Sequence, residues 1–191
     1  MSKYTNRKGQ RYYLKTGKTK SGKARWWASM DQEKGKNAKR MPAGYEWYES
    51  VNGQVFVRKK ITPEIEEVEI GELKSFLDRL EVQTRFEVKG KDLVIYTADQ
   101  DFGELESLMA MMGFADTAKS PKRKAEDLLS YSPMLKFTLV EPDPRRFVVC
   151  RMCFLGDEQD WLEIDGPGSL GQLIEEYLPL LDDEESLFEL I

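Results

Sequence analysis

Short aromatic runs alternate with polar stretches near the start of the chain. Arg11–Leu14 and Arg25–Ser29 contain paired Tyr or Trp residues, which favour β-strands. Residues 15–23 between them include Gly17 and Gly22 and no apolar side chain, so they predict a loop. The pattern indicates a β-hairpin, followed by a polar segment, 31–40, that we expect to be mobile.

A second hairpin is predicted from Tyr45–Tyr48 and Val55–Val57. Asn52-Gly53 lies between these runs, and both residues tolerate the positive φ angles of a type I′ turn. The two hairpins together predict a small β module over residues 1–60.

From residue 61 the hydrophobic pattern becomes that of a mixed domain. Thr62-Pro63 is typical of a helix start, since Thr caps the first turn and Pro needs no amide partner there. The apolar residues that follow fall approximately on one helical face as far as Leu80. The residues of this face are Ile65, Val68, Leu73, Phe76, Leu77 and Leu80.

Strands and helices continue to the end of the chain. Asp101 and Glu104 form a capping box that opens a helix, and Gly113 ends it. Ser169 and Gln172 form another before apolar residues at helical spacing. The predicted strands are Phe86–Val88, Leu93–Tyr96, Met134–Val140, Phe147–Leu155 and Trp161–Ile164, with a loop over 115–133, a helix that Pro179 stops and a last helix over 183–190.

The order of these elements from residue 61 is α-β-β-α-β-β-β-α-α. Strands that follow each other without a helix between them pair in antiparallel fashion, and the helices then cover one face of the sheet. Phe147–Leu155 is apolar on both faces except for Arg151, as expected of a central strand. We therefore predict an α+β protein with a β module, 1–60, and an acidic α+β domain, 61–191.

Charge divides the chain at the same place. Residues 1–60 contain 16 Lys and Arg against four acids, whereas residues 61–191 contain 13 Lys and Arg against 30 acids. Such asymmetry indicates either a polyanionic partner for the basic part or mutual neutralisation of the two parts in the fold.

The compartment follows from what the sequence lacks. No apolar run approaches the roughly 20 residues of a membrane helix, and the first residues contain no apolar core of a signal peptide. The only cysteines are Cys150 and Cys153, too few for a disulfide framework. We expect a cytoplasmic protein, or a nuclear one in a cell with a nucleus, that does not bind membranes.

Several segments of the chain resemble a group of uncharacterised bacterial proteins. They are Arg11–Leu14 with the loop to Trp27, 42–46, 52–56, Met134–Phe137 and Asp160-Trp161. The group has no known activity, so the resemblance implies a bacterial cytoplasm and no mechanism.

Residues 17–24 match the spacing of a phosphate-binding P-loop as far as Lys23. That motif requires Ser or Thr next, to hold Mg²⁺, and a helix whose N-terminus faces the phosphates. Ala24 and the strand-forming Trp26-Trp27 follow instead. We predict that this segment binds no nucleoside triphosphate.

Cys150 and Cys153 have the spacing of half a metal or redox site. Residues three apart on a strand point to opposite faces, and the chain contains no histidine or second cysteine pair to complete a zinc site. Two reduced structural cysteines are expected, with no metal and no cofactor.

Enzymatic function is the less favoured alternative. Without histidine the usual general base is missing, so only carboxylate or metal-dependent chemistry, such as that of a nuclease, remains open. The groups that we considered for it are Asp99, Asp101 and Glu104, then Asp157, Glu158 and Asp160, and the acid-x-Lys pattern of Glu87-Val88-Lys89. Each is better explained as a solvated turn or a chance pattern.

The first hairpin instead suggests a binding function. Its cations can follow a phosphate backbone while its aromatic rings stack on unpaired bases of RNA or single-stranded DNA. The residues predicted to bind nucleic acid are Arg11, Lys15, Lys18, Lys20, Lys23, Arg25, Trp26 and Trp27. Since the module needs a core, we expect at most two of its four aromatic residues (Tyr12, Tyr13, Trp26, Trp27) to be accessible.

A protein-interaction adaptor is the other binding function that the sequence leaves open. The acidic helical C-terminus, 178–191, and the aromatic residues of the module are its candidate contact surfaces. Nucleic-acid affinity falls steeply with salt concentration, whereas an apolar protein interface responds weakly. Salt dependence therefore separates the two hypotheses.

Overall fold

A computed structural model describes residues 2–111, 128–155 and 158–189. The chain divides into two compact units: unit 1 comprises residues 1–60 and 110–128, and unit 2 comprises residues 61–109 and 129–191. Antiparallel sheets and short helices make up the described residues, which confirms the α+β prediction. None of the helices in these ranges is long and apolar enough to cross a membrane.

Unit 1 contains a sheet built around one long strand. Its strands are β1 (Lys3–Thr5), β2 (Arg11–Lys18), β3 (Ala24–Ser29) and β4 (Lys36–Asn37). β3 pairs with one side of β2, while β1 and β4 pair with the two ends of its other side, all antiparallel. The chain must therefore cross over β2 between β3 and β4.

A second hairpin completes unit 1. It consists of β5 (Tyr45–Glu49) and β6 (Val55–Lys59). The rings of Tyr4 and Trp47 lie 5.7 Å apart, and those of Trp26 and Tyr45 lie 5.3 Å apart. These half-buried aromatic pairs join the second hairpin to the first sheet, while the buried apolar residues among 2–60 are Leu14, Ala38, Val51 and Val55.

The turn of this second hairpin differs from the predicted type I′ turn. Gly53 has a φ of 78°, but no described non-glycine residue has a positive φ, so Asn52 does not adopt the required conformation. The Ser50 amide instead bonds the Gln54 carbonyl oxygen at 2.8 Å, which closes a longer turn. Asn6 donates to the Gly53 carbonyl oxygen at 2.6 Å and holds this turn in place.

Unit 2 is a five-stranded antiparallel sheet whose strands follow the order of the chain. They are β7 (Thr84–Lys89), β8 (Asp92–Ala98), β9 (Tyr131–Pro142), β10 (Arg145–Leu155) and β11 (Glu158–Gly168). Each strand pairs with the next, so β10 is an interior strand and β9 is the middle one.

Helices pack on the apolar face of this sheet. They are α1 (Glu67–Leu77), α3 (Leu170–Tyr177) and α4 (Glu184–Phe188), with a 3₁₀ turn at Leu178–Leu181. Helix α2 (Phe102–Met111) lies between β8 and β9 along the chain and contributes none of its described side chains to this core. Leu73 of α1 and Ile174 of α3 are fully buried in one core with Leu135 and Phe137 of β9. As predicted, the Ser169 side chain accepts the Gln172 amide and caps α3.

Helix α1 begins later than Thr62-Pro63 predicts. Glu66 and Glu69 form the capping box, and the Glu64 amide bonds the Gly90 carbonyl oxygen at 2.8 Å. The segment before the helix is thereby held along the β7–β8 turn. Val68, assigned to the buried face, is 71% exposed.

Two other local predictions meet different outcomes. The polar segment 31–40, expected to be mobile, contains β4 and makes the specific contacts given below. The helix end at Gly113 and most of the predicted loop over 115–133 lie outside the described residues.

Candidate nucleic-acid interface

The register of β2 and β3 sorts the predicted aromatic residues onto two faces. Tyr13, which pairs with Ser29, and Trp27, which pairs with Lys15, share one face, called the outer face. Tyr12 and Trp26 are on the other face, which packs against β5 through the ring of Tyr45. Only two of these four aromatic residues are therefore on the outer face.

A tight turn joins β2 to β3. The Thr19 amide bonds the Lys23 carbonyl oxygen at 2.8 Å, and the Thr19 hydroxyl accepts the Lys23 amide at 3.1 Å. Gly22 supplies a φ of 81° that other residues rarely adopt. The stretch with P-loop spacing is thus strand, turn and strand, and no helix follows it.

Four predicted cations cluster at this turn. Lys18 ends β2, Lys20 and Lys23 lie in the turn, and Arg25 is near the start of β3; all four side chains are exposed. We call these four residues the basic tip. No acid lies between Tyr12 and Met30, so nothing within this stretch neutralises them.

Lys15 is a correction to the predicted interface, because it is fully buried. Its Nζ donates to the Gln32 carbonyl oxygen at 2.9 Å and to Asn37 Oδ1 at 2.7 Å. The same ammonium lies 6.0 Å from the centre of the Tyr13 ring. Lys15 therefore holds the crossing segment and offers no charge to a ligand at the surface.

The crossing segment, residues 30–35, passes over the outer face. Asp31 Oδ1 accepts the amides of Glu33 and Lys34 at 2.9 and 3.0 Å, which shapes its first turn. These two hydrogen bonds hold the pKa of Asp31 below its ordinary value. Lys15 bonds Gln32 in the middle of the segment, so this part of the outer face is covered.

Both predicted tryptophans are half-buried and have partners inside unit 1. The benzo ring of Trp27 lies so close to Gly17 that a Cβ added there would be 3.2 Å from it, and a Cβ added at Gly35 would lie 3.9 Å from the same ring. The Arg25 guanidinium lies 5.6 Å from the Trp27 ring centre. Trp26 packs on Tyr45. Their availability for stacking is smaller than the sequence suggests.

Arg11 is separated from the basic tip. It begins β2, whereas Lys18 ends that strand, which places them about 23 Å apart at the usual rise per strand residue. Lys59 was not among the predicted residues, but it pairs with Tyr45, whose ring contacts Trp26 near the start of β3, so Lys59 lies toward the tip end of unit 1. The pairing register of β5 and β6 is the signal from which its position could have been predicted.

Two of the four acids among residues 2–60 are paired within unit 1. Glu46 accepts Arg58 Nε at 2.9 Å, and Glu49 accepts the Tyr4 hydroxyl at 2.9 Å and pairs with Arg7 at 3.9 Å. Burial and the Glu49 hydrogen bond raise the pKa of Tyr4. Among residues 2–60, twelve Lys and Arg are exposed, against two acids, Asp31 and Glu33.

The other candidate sites do not converge on a metal. Cys150 and Cys153 lie on opposite faces of β10 with free thiols, and burial raises the pKa of Cys150. Within the described ranges no group of three metal-binding side chains comes together. Asp157 lies outside these ranges.

The acid-x-Lys pattern forms a hydrogen-bonded group on the sheet of unit 2. Lys89 Nζ lies 2.7 Å from Glu87 and donates to the Tyr96 hydroxyl at 3.1 Å, and Tyr96 in turn donates to Glu87 at 3.1 Å. Burial alone would lower the pKa of Lys89, but its bonds to Glu87 and Tyr96 raise it above the ordinary value. A lysine held in its charged form is not a general base.

Comparison with protein-family models, curated proteins and solved structures found no match. Function is therefore inferred from the geometry of this chain alone.

Proposed function

We propose that unit 1 binds single-stranded nucleic acid, RNA or DNA, without catalysing a reaction on it. The observation that carries the proposal is the basic tip, four exposed cations on one hairpin end in a stretch that contains no acid from Tyr12 to Met30. Lys59 adds a fifth exposed cation at the same end. The resemblance to bacterial proteins supports a bacterial cytoplasm as the compartment.

Phosphate contacts supply most of the affinity in this proposal. Lysine ammonium groups are point charges that follow a phosphate backbone without reading bases. If the tip contacts three or four phosphates, log K falls with log salt with a slope of about −2 to −3 for a single strand. The half-exposed Trp27, beside Arg25, is positioned for a smaller stacking contribution.

The test is fluorescence anisotropy of the full chain with a labelled oligo-uridylate or oligo-thymidylate of about 12 nucleotides. Binding is measured between about 50 and 200 mM salt. Lys20→Ala with Lys23→Ala should weaken binding to both oligomers alike and flatten the slope by about 1.4, because two phosphate contacts are lost.

The matched control removes the same charge from unit 2. Lys91 and Arg146 are both exposed there, so Lys91→Ala with Arg146→Ala should leave affinity and slope close to wild type. No binding at low salt, or equal loss in both double variants, contradicts the proposal. Capture of a protein partner whose affinity hardly changes with salt would favour the adaptor hypothesis.

A further inference from the structure

The outward side of the β5–β6 hairpin carries a row of stacked groups that the basic tip does not use. Tyr48 and Phe56 pair directly across the hairpin, with ring centres 6.0 Å apart and planes inclined by 29°. The Arg58 guanidinium lies 3.9 Å from the Tyr48 ring centre, and Glu46 holds its Nε at 2.9 Å. Successive contacts therefore join the residues of this row in the order Glu46, Arg58, Tyr48 and Phe56.

Phe56 ends this row and is 46% exposed. The aromatic residues Trp47 and Tyr45 of β5 do not compete for this ring, since they face the first sheet. An aromatic ring that is stacked on one neighbour and open to solvent favours a further flat ring in the same stack. A nucleobase has such a ring whatever its identity.

Charge selects the occupant. Arg58 is paired with Glu46, so the row itself is neutral and attracts no phosphate. The surrounding residues 2–60 expose twelve cations against two acids, which favours a polyanion over a neutral or basic protein surface. At the turn end of the same hairpin, the stem of Lys8 packs against Gly53, which places one more cation at that end.

We propose that Phe56 stacks on an unpaired base of the nucleic acid whose phosphates the basic tip holds. This inference rests on the proposed function and adds a base-stacking site to it. The contact is sequence-tolerant, and it requires a single strand, because bases within a duplex present no open face.

The experiment compares three substitutions of Phe56 in the full chain, using an oligo-thymidylate that contains 2-aminopurine. Phe56→Trp should bind at least as tightly as wild type and quench the 2-aminopurine fluorescence. Phe56→Ala and Phe56→Leu should both lose roughly 5- to 150-fold in affinity with the salt slope unchanged, since leucine keeps the apolar bulk but has no ring to stack. Val140→Ala, at an exposed apolar residue of unit 2, is the control and should bind like wild type.

The outcomes separate this inference from the proposed function. If the tip variants weaken binding while Phe56→Ala and Phe56→Leu bind like wild type, the stacking site is wrong and the proposed function stands. If Phe56→Leu binds normally and only Phe56→Ala is weak, the contact is apolar and not stacking, which also overturns the inference. If wild type does not bind at low salt, both fail.

Discussion

Replacing Lys15 by methionine tests the claim that this lysine is structural. The side chain is fully buried, and methionine preserves most of its aliphatic stem while removing the ammonium. Two charge-assisted hydrogen bonds are lost, to Gln32 at 2.9 Å and to Asn37 at 2.7 Å. The Gln32 carbonyl oxygen keeps a hydrogen bond from the Asn37 side-chain amide at 3.1 Å, whereas Asn37 Oδ1 loses its hydrogen bond from Lys15.

The magnitude follows from these contacts. A hydrogen bond to a charged group contributes about 1.5–3 kcal/mol, and an acceptor left without a partner costs about 1–3 kcal/mol. Removing the buried charge offsets part of this loss in the free energy of unfolding, because the ammonium no longer has to be desolvated. We expect a net loss of about 2–3 kcal/mol, which in a domain of this size lowers Tm by roughly 10–20 °C.

Tryptophan fluorescence is a suitable assay once one residue is removed. Trp26, Trp27 and Trp47 belong to unit 1, and Trp161 belongs to unit 2. In a Trp161→Phe background, thermal unfolding followed by fluorescence therefore reports on unit 1. Acrylamide quenching at 25 °C should also increase in the Lys15→Met protein, since the crossing segment beside Trp27 loses its attachment.

Lys18→Met is the matched control, because Lys18 is on the same strand and exposed. Surface substitutions of this kind change stability by less than about 0.5 kcal/mol. The reasoning is refuted if Lys15→Met stays within that limit, or if both variants are destabilised alike.

Two further predictions concern unit 2. Gly166 has a φ of 120° and an added Cβ would lie 2.7 Å from the Val148 Cα, so Gly166→Ala should cost about 2–4 kcal/mol in urea unfolding. Gly71→Ala, in the exposed middle of α1 with no atom within 4 Å of an added Cβ, should instead stabilise the protein by up to about 1 kcal/mol. Equal changes in the free energy of unfolding for the two variants would contradict the close packing at Gly166. Burial and the Asp165 carboxylate raise the pKa of Tyr177 from 10.0 to about 12. The stability linked to this hydroxyl is therefore complete below pH 10 and lost between about pH 10 and 12, so the advantage of wild type over Tyr177→Phe should shrink in that window, and parallel pH profiles would disprove it.

Much of the architecture was predictable because its information is local. The apolar residues of α3 recur at helical spacing behind the Ser169 cap, and Leu173 and Ile174 are indeed buried. Most consecutive strands have no helix between them, which predicted a largely antiparallel sheet, and β8 and β9 also pair antiparallel although α2 lies between them. What failed were boundaries, as at α1, where the contact of Glu64 with Gly90 competes with an earlier helix start.

The site was harder to predict, because its properties depend on distant pairings. The alternation along a strand separates Trp26 from Trp27, but only the contact with Tyr45 shows which of them faces inward. Nothing in the local sequence distinguishes Lys15 from the exposed lysines of the hairpin, because its burial depends on contacts with residues 32 and 37. Phe56 was assigned to a strand, and its exposure emerges only from the packing of the second hairpin.

Arginine and lysine have different roles in unit 1, and this difference indicates which kind of ligand the unit could bind. Arg7 and Arg58 pair with Glu49 and Glu46, and Arg58 also stacks on Tyr48. Arginine suits such internal roles, since its planar group combines stacking with directional hydrogen bonds. The residues left at the turn of the first hairpin are mainly lysines, whose compact charges impose little geometry on a partner. A surface of this kind favours a flexible polyanion over a ligand of fixed shape. Affinity in the proposed complex should therefore depend on the length of the strand and on the salt concentration more than on the sequence of the strand.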